Sequence, residues 1–170
     1  MSIILRHTGL VVPHGDLEVT ELDAVSDLSA YTAVLSYKGR PAGSIEDAGR
    51  GGGAIFSPLT RAHLDTVRAF VAAARRSGQP VGDEEVYDDL VREYDMELQT
   101  QKASRLQHTL VRGFSPTGSV IAFITLHQPP ERFTPSVARQ LARDTPQAAL
   151  WEVWTGSSWA PGFPQPGAAT

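Results

Sequence analysis

The sequence predicts an α+β fold with a mostly antiparallel sheet, two longer helices and one short helix packed on one face. Three observations predict it. Strand-like segments cluster at the start, helical periodicity fills the middle, and strands return near the end. Short turns rich in Gly and Pro join neighbouring strands, as antiparallel pairing allows. The 170 residues, 41% hydrophobic and 20% charged, fall in the range of one globular domain, expected over residues 1–160.

Taken in order, residues 3–12 read as one strand, and Leu17–Val25 as a second with Leu17, Val19 and Glu21 on one side. Tyr31–Lys38 alternates with Tyr31, Ala33, Leu35 and Tyr37 on one face. Gly39-Arg40 turns the chain and Ala42–Asp47 returns as the hairpin partner. After the run Gly49-Arg50-Gly51-Gly52-Gly53, Ala54–Phe56 is placed to rejoin the sheet. Ser57-Pro58 sets a capping hydroxyl before a first-turn proline, so a helix is expected from there to about Arg76, with Leu59, Leu64, Val67, Phe70 and Val71 inward. Gly78-Gln79-Pro80 stops it. A second helix from Asp83 carries Val86, Tyr87, Leu90, Val91, Tyr94 and Leu98 at helical spacing. Leu106–Arg112 and Ser119–Leu126 form a hairpin through Ser115-Pro116-Thr117-Gly118. Thr134-Pro135 opens a short third helix, Leu150–Trp154 is a last strand, and the Pro/Gly-rich residues 161–170 are expected to be a disordered tail.

Composition excludes several classes of function. With no Cys, the chain has neither a disulfide framework nor a thiolate metal site nor a Cys nucleophile. A net charge of -4 argues against direct nucleic-acid binding or an anionic membrane surface, which require a basic face. No basic region with a long apolar run opens the sequence, and no window reaches about 18 apolar residues. A cytoplasmic location is therefore the default expectation.

Tyr31–Gly53 carries a resemblance. Its aromatic hairpin, Lys38-Gly39 turn and glycine-rich exit resemble a pattern in small uncharacterised proteins of phages, prophages and plasmids. Those end such a hairpin in an Asp-Gly-x-Gly-Gly loop, followed by an acidic helix and a basic segment. Here Ala48 separates Asp47 from Gly49, and Gly53 stands where a small polar residue or Cys is common. The resemblance implies a mobile-element origin and a counter-defence or host-interaction role.

Two constellations stand out. From Asp83 to Glu97 there are eight carboxylates and one basic residue, Arg92. Glu85, Asp89, Glu93 and Glu97 follow at i, i+4 steps, so they line one side of a helix. Three like-charge steps cost roughly 1 kcal/mol together, only part of which Asp83, Glu84 and Glu85 recover at the helix N-terminus. The expected function is thus a non-enzymatic binding protein. Glu85, Asp89, Glu93 and Glu97, with Met96 facing outward among them, would engage a basic protein, including a nucleic-acid-binding one. The plainer reading is a solvated face; a divalent-metal site on that helix lacks a His to complete a transition-metal set.

The alternative centres on Gly49, Arg50, Gly51, Gly52 and Gly53. Consecutive N–H groups there would cradle an anion, with Arg50 as partner, making a nucleotide- or phosphate-binding protein or enzyme. The plainer reading is a bulge or Ω-loop, since Walker and dinucleotide spacings are missing. Lys102, Arg105, His108 and Arg112 read as a helix-end basic segment more than a phosphate strip. His7, His14, His63, His108 and His127 show no ligand or triad spacing, so no catalytic residue, metal or cofactor is assigned. Trp151 and Trp154 alternate across the last strand, so at most one of them is expected to face the same core; the outward one, with Trp159 and Phe163, either forms an exposed aromatic patch or covers a core edge. A structural component of a phage particle is a third reading.

Overall fold

The computed structural model describes residues 2–25, 28–129 and 133–162. The fold is α+β, with three helices and three antiparallel sheets among the described residues. It divides into two compact units, Met1–Glu97 and Leu98–Thr170.

In the first unit, β1 (Ile3–Ile4) pairs with β2 (Val11–Val12). The expected single strand over 3–12 is corrected to this hairpin. Gly9 takes a left-handed φ of 73°, and Leu5 and Leu10 close the reversal by a backbone bond of 2.8 Å. That conformation is open to glycine and strained for other residues. The remaining strands of this small sheet, β7 (Arg75–Arg76) and β8 (Gln79–Pro80), extend it in the order β1-β2-β7-β8.

The second sheet runs β3 (Leu17–Ala24), β4 (Tyr31–Tyr37), β5 (Arg40–Asp47), β6 (Ile55–Pro58) in chain order. A bulge at Thr20 shifts the β3 register between Val19 and Glu21. Leu17 and Val19 face inward as expected, but the extra residue flips the phase. Leu22 then packs against the core, while Glu21 points to solvent. The β4–β5 turn is Lys38-Gly39, at φ 51° and 71°, so Arg40 opens the returning strand instead of lying in the turn. Two positive φ values match the right-handed twist of the flanking strands. Gly43 is required where β5 meets β6: a Cβ there would lie 2.3 Å from the Ser57 carbonyl oxygen and 2.6 Å from the Phe56 ring.

Helix α1 (Arg61–Ala73) starts later than Ser57-Pro58 predicts. Those two residues stay in β6 opposite Ser44 and Gly43, an edge position where proline's missing donor is tolerated. Thr60 is the cap, its hydroxyl oxygen accepting from the His63 amide at 3.2 Å. The helix ends at Ala73 because β7 claims Arg75 and Arg76 for the first sheet, and Leu59 is left exposed. Helix α2 (Asp83–Leu106) closes the first unit and opens the second. The core of the first unit sets Leu17, Val19, Ala33, Leu35 and Ile45 of the second sheet with Val67, Phe70 and Val71 of α1 and Val86, Leu90 and Val91 of α2.

The second unit holds β9 (Thr109–Phe114), β10 (Val120–Leu126), α3 (Pro135–Asp144), β11 (Leu150–Trp154) and β12 (Trp159–Pro161), with sheet order β10-β9-β11-β12. The strand expected from Leu106 begins at Thr109, since α2 continues through Leu106. Thr134 caps α3, as its Thr-Pro start predicts. This sheet buries both faces: Leu110 and Trp154 join Ala103 of α2, while Val111 and Trp151 join Leu141 of α3. Alternate residues of one strand thus feed different clusters, so both Trp151 and Trp154 are buried and neither forms an outward patch. Trp159 lies edge-on to Trp154 at 5.2 Å between ring centroids. Pro161 belongs to β12, and the Gly162 amide donates to the Trp151 carbonyl, so these two residues are part of the second unit and not of the tail expected from 161. Residues 163–170, Phe163 included, lie outside the described residues.

Candidate functional site

The acidic stripe of α2 is answered by groups of its own unit. Asp89 is 2% exposed and meets the guanidinium of Arg76 on β7, which also reaches Glu85 at 3.4 Å. Burial pushes the Asp89 carboxyl up to about 6, with Arg76 and Arg92 holding it back from rising further. Glu93 accepts from the His7 amide at 2.9 and 3.0 Å and from the Thr8 amide at 2.9 Å, with the Thr8 hydroxyl at 3.2 Å. Glu97 is 2.9 Å from His7 Nε2 and 3.9 Å from Arg6. The carboxylates therefore fasten the β1–β2 turn and β7 to the helix, which offsets the like-charge repulsion along the stripe. Met96 is 2% exposed, a correction to its expected outward position: the helix there turns a side chain inward that composition had placed among solvated acids. Of the five residues read as a partner surface, Glu85 is the most exposed.

In the glycine loop, Gly49, Gly51 and Gly53 have φ of 70°, 75° and 72°, while Arg50 and Gly52 lie outside the positive region. Such alternation points successive N–H groups to one side, the geometry of an anion nest. The protein's own carboxylates occupy its ends. Asp47 Oδ1 accepts from the Gly49 amide at 2.7 Å, and the Glu84 carboxylate stands so close that a Cβ on Gly53 would fall 2.4 Å from it. A concavity of about 320 Å³ opens beside the loop, walled by Glu46, Asp47, Arg50, Gly53, Ile55 and Ser57.

The basic segment does not assemble a phosphate strip. Arg112 is buried and bound to its cross-strand neighbour Glu152, with its guanidinium over Trp159 at 4.4 Å and Phe114 at 4.8 Å. Arg105 reaches back to the Gln101 carbonyl at 3.4 Å near the end of α2. Among the described residues, no three His, Asp or Glu side chains converge as metal ligands.

A surface that the strand reading missed lies on the outer face of the second sheet. Cross-strand neighbours share a face, and the register aligns Asp23, Thr32, Glu46 and Ile55 in one row and Glu21, Val34, Ser44 and Ser57 in the next. Glu18 stands opposite Ser36 in a third. All four carboxylates are exposed, Ile55 is 64% exposed, and neither Lys nor Arg occupies these rows. The signal that would have found this face is the Thr20 bulge, because without it Glu21 falls on the inner side.

The chain matches no family model, no curated protein and no solved structure. Functional inference rests on these surfaces and their chemistry. Among the described residues, no helix is long and apolar enough to cross a membrane.

Proposed function

We propose that this chain is a non-enzymatic binding protein that engages a basic protein partner through the outer face of the β3–β6 sheet. One observation carries the reading: Glu18, Glu21, Asp23 and Glu46 surround Val34 and Ile55 on a solvent-facing sheet surface without any cation in its rows. An exposed Ile55 and a half-buried Val34 among four carboxylates, with Arg50 reaching only the loop side of the edge strand, suit a contact in which apolar area supplies affinity and charge supplies orientation and on-rate. The basic partner expected of the acidic helix is retained, with the contact moved from α2 to the sheet. A host-interaction role is also what the resemblance of Tyr31–Gly53 implies.

The test is a titration of the ¹⁵N-labelled chain with a lysine/arginine-rich peptide at low salt. Amide shifts should fall on β3–β6 and fade as salt rises. They should vanish in the Glu18→Lys, Glu21→Lys, Asp23→Lys variant. Shifts that track α2, or that persist unchanged in the triple variant, would sink the reading.

A second reading places a small anion-bearing ligand in the concavity beside Gly49–Gly53, favoured by the alternating φ signs and by Arg50 in its wall. It requires the ligand to displace Asp47 and Glu84 from the loop. Addition of inorganic phosphate should then raise the unfolding midpoint; a midpoint indifferent to phosphate counts against it.

A further inference from the structure

We propose that His108 and His127 form a two-imidazole site for a divalent transition-metal ion of the copper, nickel or zinc type. Their rings are adjacent, with centroids 4.7 Å apart and planes inclined by 46°. A metal–nitrogen distance of about 2.1 Å puts two ring centroids on one ion roughly 4.6–5.3 Å apart for coordination angles between square and tetrahedral. The observed spacing falls in that interval, which puts both rings within reach of one shared ion once each turns a nitrogen toward it.

The sequence separation of 19 residues hides the pair, and the hairpin creates it. Thr109 and Leu126 are the last ladder partners of β9 and β10, and the two histidines are the next residues outward on each strand. The backbone on both sides is fixed. The His108 amide donates to the Ala103 carbonyl at 3.0 Å, just past Gln107, whose φ of 54° ends α2. Around His127, the Gln128 amide closes on the Leu126 carbonyl at 2.8 Å, a three-residue turn with His127 at its tip. The Gln128 carbonyl in turn accepts from the Thr109 amide at 3.0 Å and the Thr109 hydroxyl at 2.8 Å. Two ligands held by pinned backbone lose little freedom on binding.

The helix dipole favours a cation there, a pole that Arg105 of the last turn shares. His108 follows two residues after the C-terminus of a 24-residue helix, whose carbonyl end carries the negative pole of the helix dipole. His127 is exposed and His108 half-buried, so an ion would keep its remaining positions open to water or to an incoming donor. Bare imidazole pairs of this kind select nitrogen-loving ions and leave calcium and magnesium, which prefer oxygen ligands, unbound.

The experiment is calorimetric titration of the full, untagged chain with nickel and copper salts in a non-chelating buffer, paired with paramagnetic broadening of its NMR spectrum. One ion per chain should bind, copper more tightly than nickel, with broadening centred on His108 and His127. His127→Ala, an exposed substitution that leaves the fold intact, should weaken binding about tenfold or more, and His108→Ala likewise. His14→Ala should leave it unchanged. Lowering the pH should release the ion, since each imidazole must be neutral to bind. Unaltered affinity in His127→Ala, or broadening centred elsewhere, would overturn the proposal.

Discussion

At the scale of single residues, the decisive groups are carboxylates whose partners lie far along the chain. Arg76 and Asp89 are thirteen positions apart and both largely buried. Replacing Arg76 by Met leaves a buried carboxylate without its cation, and about 3 kcal/mol of stability should go at neutral pH. The loss has a definite pH dependence. A carboxyl whose folded pKa is raised, here from 3.8 to about 6, binds its proton in the folded state first. Stability from such a group falls as pH rises from about 4 to about 6. Without Arg76 the carboxyl rises further, so the variant's deficit should shrink when urea midpoints are compared at pH 5 and pH 7. A deficit that grows on acidification would contradict this assignment. Glu93 gives a second test. Glu93→Ala removes the acceptor of the buried His7 and Thr8 amides, at about 1–3 kcal/mol per stranded donor, while Glu93→Gln, keeping one oxygen, should lose less.

At the scale of elements, turns and caps were legible to the extent that their chemistry is local. The existence of the β4–β5 hairpin, the Thr134-Pro135 start of α3 and the onset of α2 at Asp83 follow from neighbouring residues alone, although the hairpin turn falls on Lys38-Gly39 and not on Gly39-Arg40. Where an element competes with a partner for the same residues, local chemistry misleads. Ser57-Pro58 reads as a helix start, yet pairing with Ser44 and Gly43 keeps it in β6 and leaves Thr60 to cap α1. Two glycine substitutions probe this level. Gly43→Ala should destabilise by about 1–3 kcal/mol, because the added methyl meets the Ser57 carbonyl. Gly52→Ala, with nothing within 4 Å of the new carbon, should stay within about 0.5 kcal/mol of wild type. Thermal melts of the pair separate a packing requirement from mere glycine content. Tyr31→Phe belongs here too: its hydroxyl donates to Asp88 at 2.6 Å and ties β4 to α2, so about 1–2 kcal/mol should be lost on urea denaturation.

At the scale of the molecule, the net charge of -4 is unevenly spent. The helical stripe is consumed within the fold, whereas Glu18, Glu21, Asp23 and Glu46 remain on the sheet surface. The triple lysine variant of β3 should therefore keep its melting midpoint within the change produced by about 0.5 kcal/mol, while losing contact with a basic peptide. A collapse of the midpoint would mean that those carboxylates serve folding.

The α+β class, the mostly antiparallel pairing and the existence and order of the three helices were written in the sequence, because periodicity, capping residues and turn glycines act over a few residues. The phase of β3 and the facing of Met96, Trp151 and Trp154 were decided in the tertiary structure. So were the conversion of an acidic stripe into an internal clamp and the meeting of His108 with His127. Each depends on which distant segment arrives at a given face. One inserted residue or one arriving cation changes whether a side chain meets solvent or the core.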